Sequence, residues 1–130
     1  MNTKLLMTVT SLTLALAGVV ALFTPEAVLA LAGAPAAELL TVLVQLLGAL
    51  YFSLALMNWT AKDSAIGGIY ARPVSLANFG HFFAGALLLI RHQVTAAFDL
   101  PVVVILVVYV SFAGVFYWLV FRATGLSPAQ

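Results

Sequence analysis

The chain has 130 residues, of which 65% are hydrophobic and 7% are charged, and its mean hydropathy is +1.19. Soluble domains carry roughly 25% charged residues, so this composition cannot supply a water-facing surface and predicts an integral membrane protein. The formal net charge of +1 comes without any run of Lys or Arg, which argues against nucleic acid as a partner. Cysteine is absent, which excludes disulfides, thiol catalysis and Cys-ligated metals.

The first hydrophobic run is free of charge from Leu5 to Phe23 and predicts the first transmembrane helix. A secretory signal peptide is the competing interpretation, but the run exceeds the usual apolar length of about 7 to 15 residues. The next residues signal a helix start, with Thr24 as the N-cap, Pro25 at the first helical position and Glu26 near the positive end of the helix. We therefore expect a short interfacial helix over Ala27–Ala32, which Gly33 ends.

The second span is predicted over about residues 36–59 and carries polar and small residues at helical spacing. An amide that faces lipid would leave its hydrogen-bonding groups unsatisfied, so these residues should face other helices. Gln45 is the expected structural polar residue, and Gly48 should let a neighbouring backbone approach it. The full stripe consists of Glu38, Thr41, Gln45, Gly48, Phe52 and Trp59.

The segment Lys62–Arg72 is predicted to be a loop, with Gly67-Gly68 as its flexible point and Pro73 as the first residue of the third helix. The third span is predicted over about residues 74–92. On it, Gly80 and Ala84 are expected to form a close helix contact. One helical face should carry Asn78, His81, Gly85 and His92.

The last span, over about residues 100–122, follows Asp99 as a cap and Pro101 in the first turn. The predicted fold is therefore all-α: a polytopic, four-transmembrane-helix bundle in one domain, with a short interfacial helix after the first span. No soluble domain is left over.

The positive residues set the expected orientation of this bundle. Lys4, Lys62, Arg72 and Arg122 fall on one side of the membrane, against Arg91 on the other. By the positive-inside rule, both termini and the central loop are expected in the cytoplasm.

Catalytic and cofactor sites are weakly indicated. His81 and His92 are separated by about 16 Å along a helix, too far to hold one iron, and no other span contains His. Asp63, Ser64 and Ser75 together with His81 could form a hydrolytic set, but no Gly-x-Ser-x-Gly motif is present. The sequence therefore favours no metal, no cofactor and no catalytic residue, and it leaves enzyme activity open.

Six residues are expected near one membrane interface, at the cytoplasmic ends of the second and third spans. They should lie above an apolar groove, and a polar mouth over an apolar cleft suits an amphiphile such as a lipid or an isoprenoid-like molecule. These candidate binding residues are Asn58, Trp59, Tyr70, Arg72, Asn78 and His81, and the expected groove residues are Gly48, Phe52, Phe82 and Gly85.

Other interpretations remain open for the same residues. Trp, Tyr, Arg and Lys are enriched at every membrane boundary, so they could simply anchor the chain. The protein would then be a structural or accessory subunit of a homo-oligomer or of a larger membrane complex. An enzyme embedded in the membrane is a third interpretation. Transport is disfavoured, because the spans carry no charged residue at mid-depth.

The pattern Gln45-Leu46-Leu47-Gly48, Asn58-Trp59, Arg72-Pro73, Asn78 and His81 resembles small uncharacterised four-helix bacterial membrane proteins, broadly the DoxX-like group. The resemblance implies a compact four-helix bundle in the bacterial inner membrane, without an established common activity. DoxX-like proteins are associated with redox-linked complexes and membrane stress responses. A thiol-based version of such a role does not fit a chain without cysteine.

The orientation can be tested with single cysteines, because the natural chain has none. A cysteine placed at Gly67 should not react with an impermeant thiol reagent added outside intact cells, since the central loop is expected in the cytoplasm. Labelling of this cysteine from outside would show that the orientation is reversed.

Overall fold

The computed structural model describes residues 2–63, 71–96 and 98–121 of the chain, with Ala71 described by its backbone alone. These residues contain helices and no strand, which confirms the predicted all-α class. The short helix predicted after the first span is also present. In chain order the helices are α1 (Thr3–Phe23), α2 (Pro25–Leu31), α3 (Glu38–Ala61), α4 (Ala71–Thr95) and α5 (Leu100–Phe121).

Four of these helices are long and apolar enough to cross a membrane, as expected for a multi-pass membrane protein. Their ends agree with the predicted spans to within three residues. The prediction was wrong at the start of α4, where Pro73 is the third helical residue rather than the first and Arg72 belongs to the helix rather than to the loop. Proline is tolerated there because the first-turn N–H groups have no intrahelical acceptor. The loop positions 64–70, with the Gly67-Gly68 pair, lie outside the described residues.

The helices form two compact units, Met1–Asp63 and Ser64–Gln130. The first unit is an antiparallel hairpin of α1 and α3. Ser11 near the start of α1 donates a hydrogen bond of 2.8 Å to the carbonyl of Ala55 near the end of α3. At the other end of the hairpin, Gln45 Nε2 donates to the carbonyl of Leu22 at 3.3 Å. Both bonds join a side chain to the backbone of the facing helix.

Glycines bring the backbones of α1 and α3 into direct contact between these two hydrogen bonds. A Cβ atom added at Gly48 would lie 2.8 Å from the Leu22 nitrogen and 2.9 Å from the Gly18 carbonyl oxygen. A Cβ added at Gly18 would lie 2.8 Å from the Phe52 nitrogen. Because the obstructing atoms belong to the backbone, no side-chain rotation can relieve these clashes. The polar stripe of α3 thus faces α1 at its middle, although Trp59 at its end is 46% exposed.

The short helix α2 begins at Pro25, the residue predicted at the first helical position, and ends at Leu31. Thr24 stands at its N-cap position, but the Thr24 hydroxyl donates to the carbonyl of Val20, at the end of α1, at 2.8 Å. Gly33 ends the helix with a φ of 66°, which side chains rarely adopt. The Gly33 and Ala34 N–H groups then bond the carbonyls of Ala30 and Leu29, which is a Schellman motif.

An ion pair joins the ends of the first unit. Lys4 Nζ lies 2.7 Å from Asp63 Oδ1, and both side chains are more than half exposed. The hydrogen bond from Lys4 lowers the pKa of Asp63 below its ordinary value of 3.8, and the charges of Lys4 and Lys62 act in the same direction. The pair contributes little to stability, because water screens exposed charges.

The second unit is an antiparallel hairpin of α4 and α5 held by aromatic rings around the fully buried Phe82. The Phe82 ring lies 4.7 Å from that of Phe112 and 6.1 Å from that of Phe116, between centroids, in stacked geometry. Tyr109 meets Phe82 edge-on at 5.3 Å. The Tyr109 hydroxyl is also 3.3 Å from His81 Nε2, which is a hydrogen bond between α4 and α5.

Two glycines of α4 have opposite surroundings. A Cβ atom at Gly85 would clash with the ring of Tyr109, whereas a Cβ at Gly80 would meet nothing within 4 Å. Gly80 and Ala84 are both exposed, so α5 does not make the close helix contact that was predicted for them. The reason is that α5 packs against the face of α4 that carries Gly85.

Gln93 connects the end of α4 to the start of α5, a contact that the sequence did not reveal. Its Nε2 donates to the carbonyl of Asp99 at 2.8 Å, and its Oε1 accepts from the Asp99 N–H at 3.4 Å. One side-chain amide thus satisfies both backbone groups of the residue that precedes α5.

The Gly18–Gly48 contact predicts a sharp difference between two glycine substitutions. Gly48→Ala should destabilise the protein by about 1–3 kcal/mol, because the new methyl group overlaps backbone atoms. Gly80→Ala is the matched control and should be neutral or stabilising by up to about 1 kcal/mol, because its methyl group has open space and alanine favours the helix. Unfolding in mixed detergent micelles measures both free energies. Equal stability of the two variants would contradict the backbone contact.

The ion pair predicts how Asp63 titrates. Because its pKa is lowered in the folded protein, the pair stabilises the fold above the ordinary pKa of Asp63, and this contribution disappears as the pH falls through the lowered value. Lys4→Gln should raise the pKa of Asp63 toward 3.8, and Lys62→Gln should raise it less. NMR titration of the Asp63 carboxyl in micelles measures both. A pKa that does not respond to Lys4→Gln would contradict the pair.

Candidate functional site

Two of the six candidate residues belong to the first unit, at the end of α3. Asn58 is fully buried, and its Nδ2 donates to the carbonyl of Leu54, one turn earlier, at 2.9 Å. Trp59 is half-exposed, and the Lys62 ammonium lies 3.0 Å from the centroid of its ring. This cation–π contact is of the kind that holds a lysine and a tryptophan at a membrane surface.

Three other candidates lie on α4 in the second unit. Arg72 is exposed and makes no hydrogen bond or ion pair within the described part of the chain. Asn78 is fully buried and donates to the carbonyl of Val74 at 2.8 Å. His81 is half-buried and contacts Tyr109. Tyr70, the sixth candidate, lies outside the described residues.

The three α4 candidates point in different directions. At about 100° per residue, Asn78 lies about 240° and His81 about 180° around the helix from Arg72. His81 faces α5, whereas Arg72 stands on the opposite side of α4. His92 is exposed near the far end of the same helix. No group of three or more His, Asp or Glu residues that could hold a metal ion occurs in residues 2–63, 71–96 and 98–121.

Three of the four residues expected to line a groove lie at helix interfaces within their own units. The backbone of α1 occupies the space beside Gly48, and the ring of Tyr109 occupies the space beside Gly85. Phe82 is 1% exposed and belongs to the aromatic core of the second unit. These three residues therefore line helix interfaces, not an open cleft.

An apolar groove does exist within the second unit, along α4 and α5. Its volume is about 440 Å³, and no polar atom lines it. Small buried residues, Ala86 and Ala113, form its floor, while larger half-exposed side chains form its walls. The lining residues are Phe79, Phe83, Ala86, Leu87, Ile90, Val110, Ala113, Gly114 and Tyr117.

The groove exists because the facing residues of α4 and α5 are small. Gly114 shows this most clearly, because a Cβ atom added there would meet nothing within 4 Å. Helix packing therefore does not require glycine at this position, unlike at Gly48. The volume lies within the range of roughly 300–1,000 Å³ that is usual for small-molecule sites.

The groove lies at the depth of the membrane hydrocarbon. From Phe79 to Ile90 it follows α4 for about 16 Å. Phe79 is about 12 Å from the start of α4, and Ile90 is about 7 Å from its end. Because α4 is long enough to cross the roughly 30 Å of hydrocarbon, the groove follows the part of the helix that would lie in that layer.

Arg72 stands on the groove face of α4, although the groove does not include it. Phe79 follows Arg72 by seven residues, which is about 20° short of two full helical turns. Phe83, Ala86 and Ile90 continue the same face. The sequence contained this signal in the spacing 72, 79, 83, 86 and 90. A prediction based on polar residues alone does not find this series, because every residue in it after Arg72 is apolar.

Aromatic rings surround the end of the groove that is nearer to Arg72. The Phe79 ring lies 5.9 Å from that of Tyr117 and 5.5 Å from that of Phe121. Tyr117 and Phe121 are 5.1 Å apart, and both are about half-exposed. Exposed aromatic side chains near the end of a membrane helix are typical of the interface between hydrocarbon and headgroups.

The arrangement within the second unit is thus an exposed cation, then an aromatic cluster, then an apolar groove along one helix face. Chemically it can contact an anionic group and a hydrocarbon chain in the same molecule. Comparison with known proteins adds no relative: no family model, no curated protein and no solved structure matches this chain. The DoxX-like resemblance therefore stays a prediction from the sequence pattern.

Proposed function

We propose that this small multi-pass membrane protein binds an amphiphile, a lipid or an isoprenoid-like molecule, with its hydrocarbon chain in the groove between α4 and α5. The observation that carries the proposal is the groove itself, which combines a volume of about 440 Å³ with a lining free of polar atoms. An apolar lining of this kind suits the hydrocarbon part of a ligand.

The physical basis of such binding differs from that in water. A chain that leaves the bilayer for the groove exchanges one apolar environment for another, so the hydrophobic effect contributes little. Selectivity then comes from van der Waals contact with fixed walls. Phe79, Phe83 and Tyr117 provide rigid rings for this contact, and Phe79 is held by stacking on Phe83 at 5.3 Å.

The proposal keeps the ligand class that the sequence suggests and changes the lining of the site. Arg72 remains near the headgroup, whereas Asn78 and His81 lie on other faces of α4. Asn58, Trp59 and Tyr70 stay predicted contributors. An inner-membrane location in a bacterium, cytoplasmic termini and membership of the DoxX-like group also belong to this proposal, and they rest on the sequence pattern.

A role as a structural subunit is the second candidate, favoured by the outer face of α3. Leu39, Leu43, Leu46 and Leu50 recur at alternating intervals of four and three residues, and each is at least half exposed. Such a face can pack against another helix in a homo-oligomer or a larger complex. Crosslinking in native membranes tests this candidate, and the detection of monomer alone would contradict it.

The groove proposal is tested by filling the groove without disturbing the fold. Gly114→Leu places a side chain in space that is open, so the protein should remain folded while its groove is occupied. We expect an amphiphile that copurifies with the natural protein to fall about tenfold, equivalent to roughly 1.4 kcal/mol of binding free energy. Native mass spectrometry after gentle detergent extraction measures the retained species.

Gly80→Leu is the matched control for this experiment. Gly80 is also an exposed helical glycine with nothing within 4 Å of an added Cβ, but it does not line the groove. This variant should retain the amphiphile at the natural level. If both leucine variants retain it equally, or if the natural protein retains no selected species, the groove is not a binding site.

A further inference from the structure

We infer that the amphiphile carries an anionic phosphate headgroup, which Arg72 binds, with the chain running from Arg72 toward Ile90. This inference rests on the proposed function, because it assigns the headgroup and the orientation of the ligand in the same groove. It depends on three observations in the second unit: the position of Arg72 on the groove face, the exposure of its guanidinium, and the distance of the acidic residue Asp99 from it along the hairpin.

The position of Arg72 suits a headgroup. It lies on the groove face of α4, about 10 Å along the helix axis from Phe79, and hence toward the membrane surface from the groove. The rings of Phe79, Tyr117 and Phe121 cluster at the end of the groove that is nearer to Arg72. A ligand whose chain lies along the groove therefore passes this aromatic cluster before its head reaches the guanidinium.

The guanidinium is available for a ligand. Arg72 is exposed, and within the described part of the chain it makes no hydrogen bond or ion pair. A guanidinium presents a planar set of donors that matches the oxygens of a phosphate in a two-pronged contact. Its charge is permanent, so the contact does not depend on pH in the physiological range.

The one acidic side chain of the second unit lies away from Arg72. Asp99 is the only acidic residue in the sequence from residue 64 to 130, and it lies at the opposite end of the hairpin, bonded through its backbone to Gln93. No carboxylate of this unit thus opposes an anion beside Arg72. At the other end of the groove, Arg91 directly follows Ile90, but it stands about 100° around α4 from Ile90 and therefore off the groove face.

The ligand class follows from these features: a membrane amphiphile with a phosphate ester on one long hydrocarbon chain. A single groove between two helices accommodates one chain. An acyl chain and an isoprenoid chain both meet the apolar lining, and the experiment separates them. Free phosphate lacks the chain and should bind far more weakly than the amphiphile.

The test uses the full-length protein in detergent and pairs of probes that share a chain but differ in the head. Oleoyl lysophosphatidic acid is compared with monoolein, and farnesyl phosphate with farnesol, while inorganic phosphate serves as the headgroup alone. The natural protein should prefer the phosphate member of at least one pair by about tenfold or more, as expected for hydrogen bonds between charged groups. The pair with the tighter phosphate probe identifies the chain.

Arg72→Gln should remove the preference for phosphate and leave binding of the neutral probe unchanged. Arg72→Lys should restore part of it, because the charge returns without the planar donors. Arg91→Gln is the matched control at the far end of α4 and should keep the full preference. Circular dichroism confirms that each variant is folded.

The outcomes separate the headgroup inference from the groove proposal. If Gly114→Leu weakens both members of a pair but Arg72→Gln leaves the preference intact, the groove stands and the role of Arg72 is refuted. If Gly114→Leu has no effect on any probe, the groove proposal fails. Inorganic phosphate that binds as tightly as the amphiphile would also overturn the inference, because the chain would then contribute nothing.

Discussion

In a bilayer the hydrophobic effect does not drive helices to associate, and this constraint applies to both hairpins of the protein. Lipid tails are as apolar as leucine, so close packing and hydrogen bonds between helices must hold the structure. In the first unit, backbone contact at Gly18 and Gly48 lies between two cross-helix hydrogen bonds, from Ser11 and from Gln45. In the second, a stack of rings around Phe82 provides the contact area.

Small residues have three different consequences in this chain. At Gly48 the space beside the residue is taken by the backbone of a neighbouring helix, and at Gly85 it is taken by the ring of Tyr109. At Gly114 the space stays open and becomes part of the groove. The same residue type thus produces either a tight helix contact or a cavity, depending on which atoms of the facing helix lie beside it.

The helices could be predicted from the sequence because their signals are local. Uncharged runs of membrane length, Pro25, Gly33 and Asp99 fixed most boundaries within three residues. The boundary of α4 was harder, since a proline is compatible both with the first helical position and with a later place in the first turn. What fills the space beside a glycine is a property of two helices together, so one sequence stretch could not distinguish Gly80 from Gly85.

The candidate site was harder to predict because the groove is lined by apolar residues, whereas the binding residues predicted from the sequence are mostly polar. Asn58 and Asn78 are amides in membrane-length helices, which suggests a binding role, yet each donates to a carbonyl one turn earlier in its own helix. Such a bond satisfies a buried donor without any ligand. The groove instead arises from alanine and glycine, whose contribution is missing volume. In a membrane protein, where apolar residues are everywhere, this missing volume becomes visible only when the facing helix is placed.

The role of Arg72 becomes clear only when the sequence spacing and the packing of the helices are considered together. Its spacing to Phe79 was present in the sequence, but it gained meaning only when the groove appeared on the same face of α4. A charge at the membrane surface is ordinarily an anchor. An anchor, however, needs no cavity on its own helix face and no ring cluster at the near end of that cavity. The combination favours a ligand that is charged at one end and hydrocarbon at the other, because the order of cation, rings and groove along α4 matches the order of groups along such a molecule.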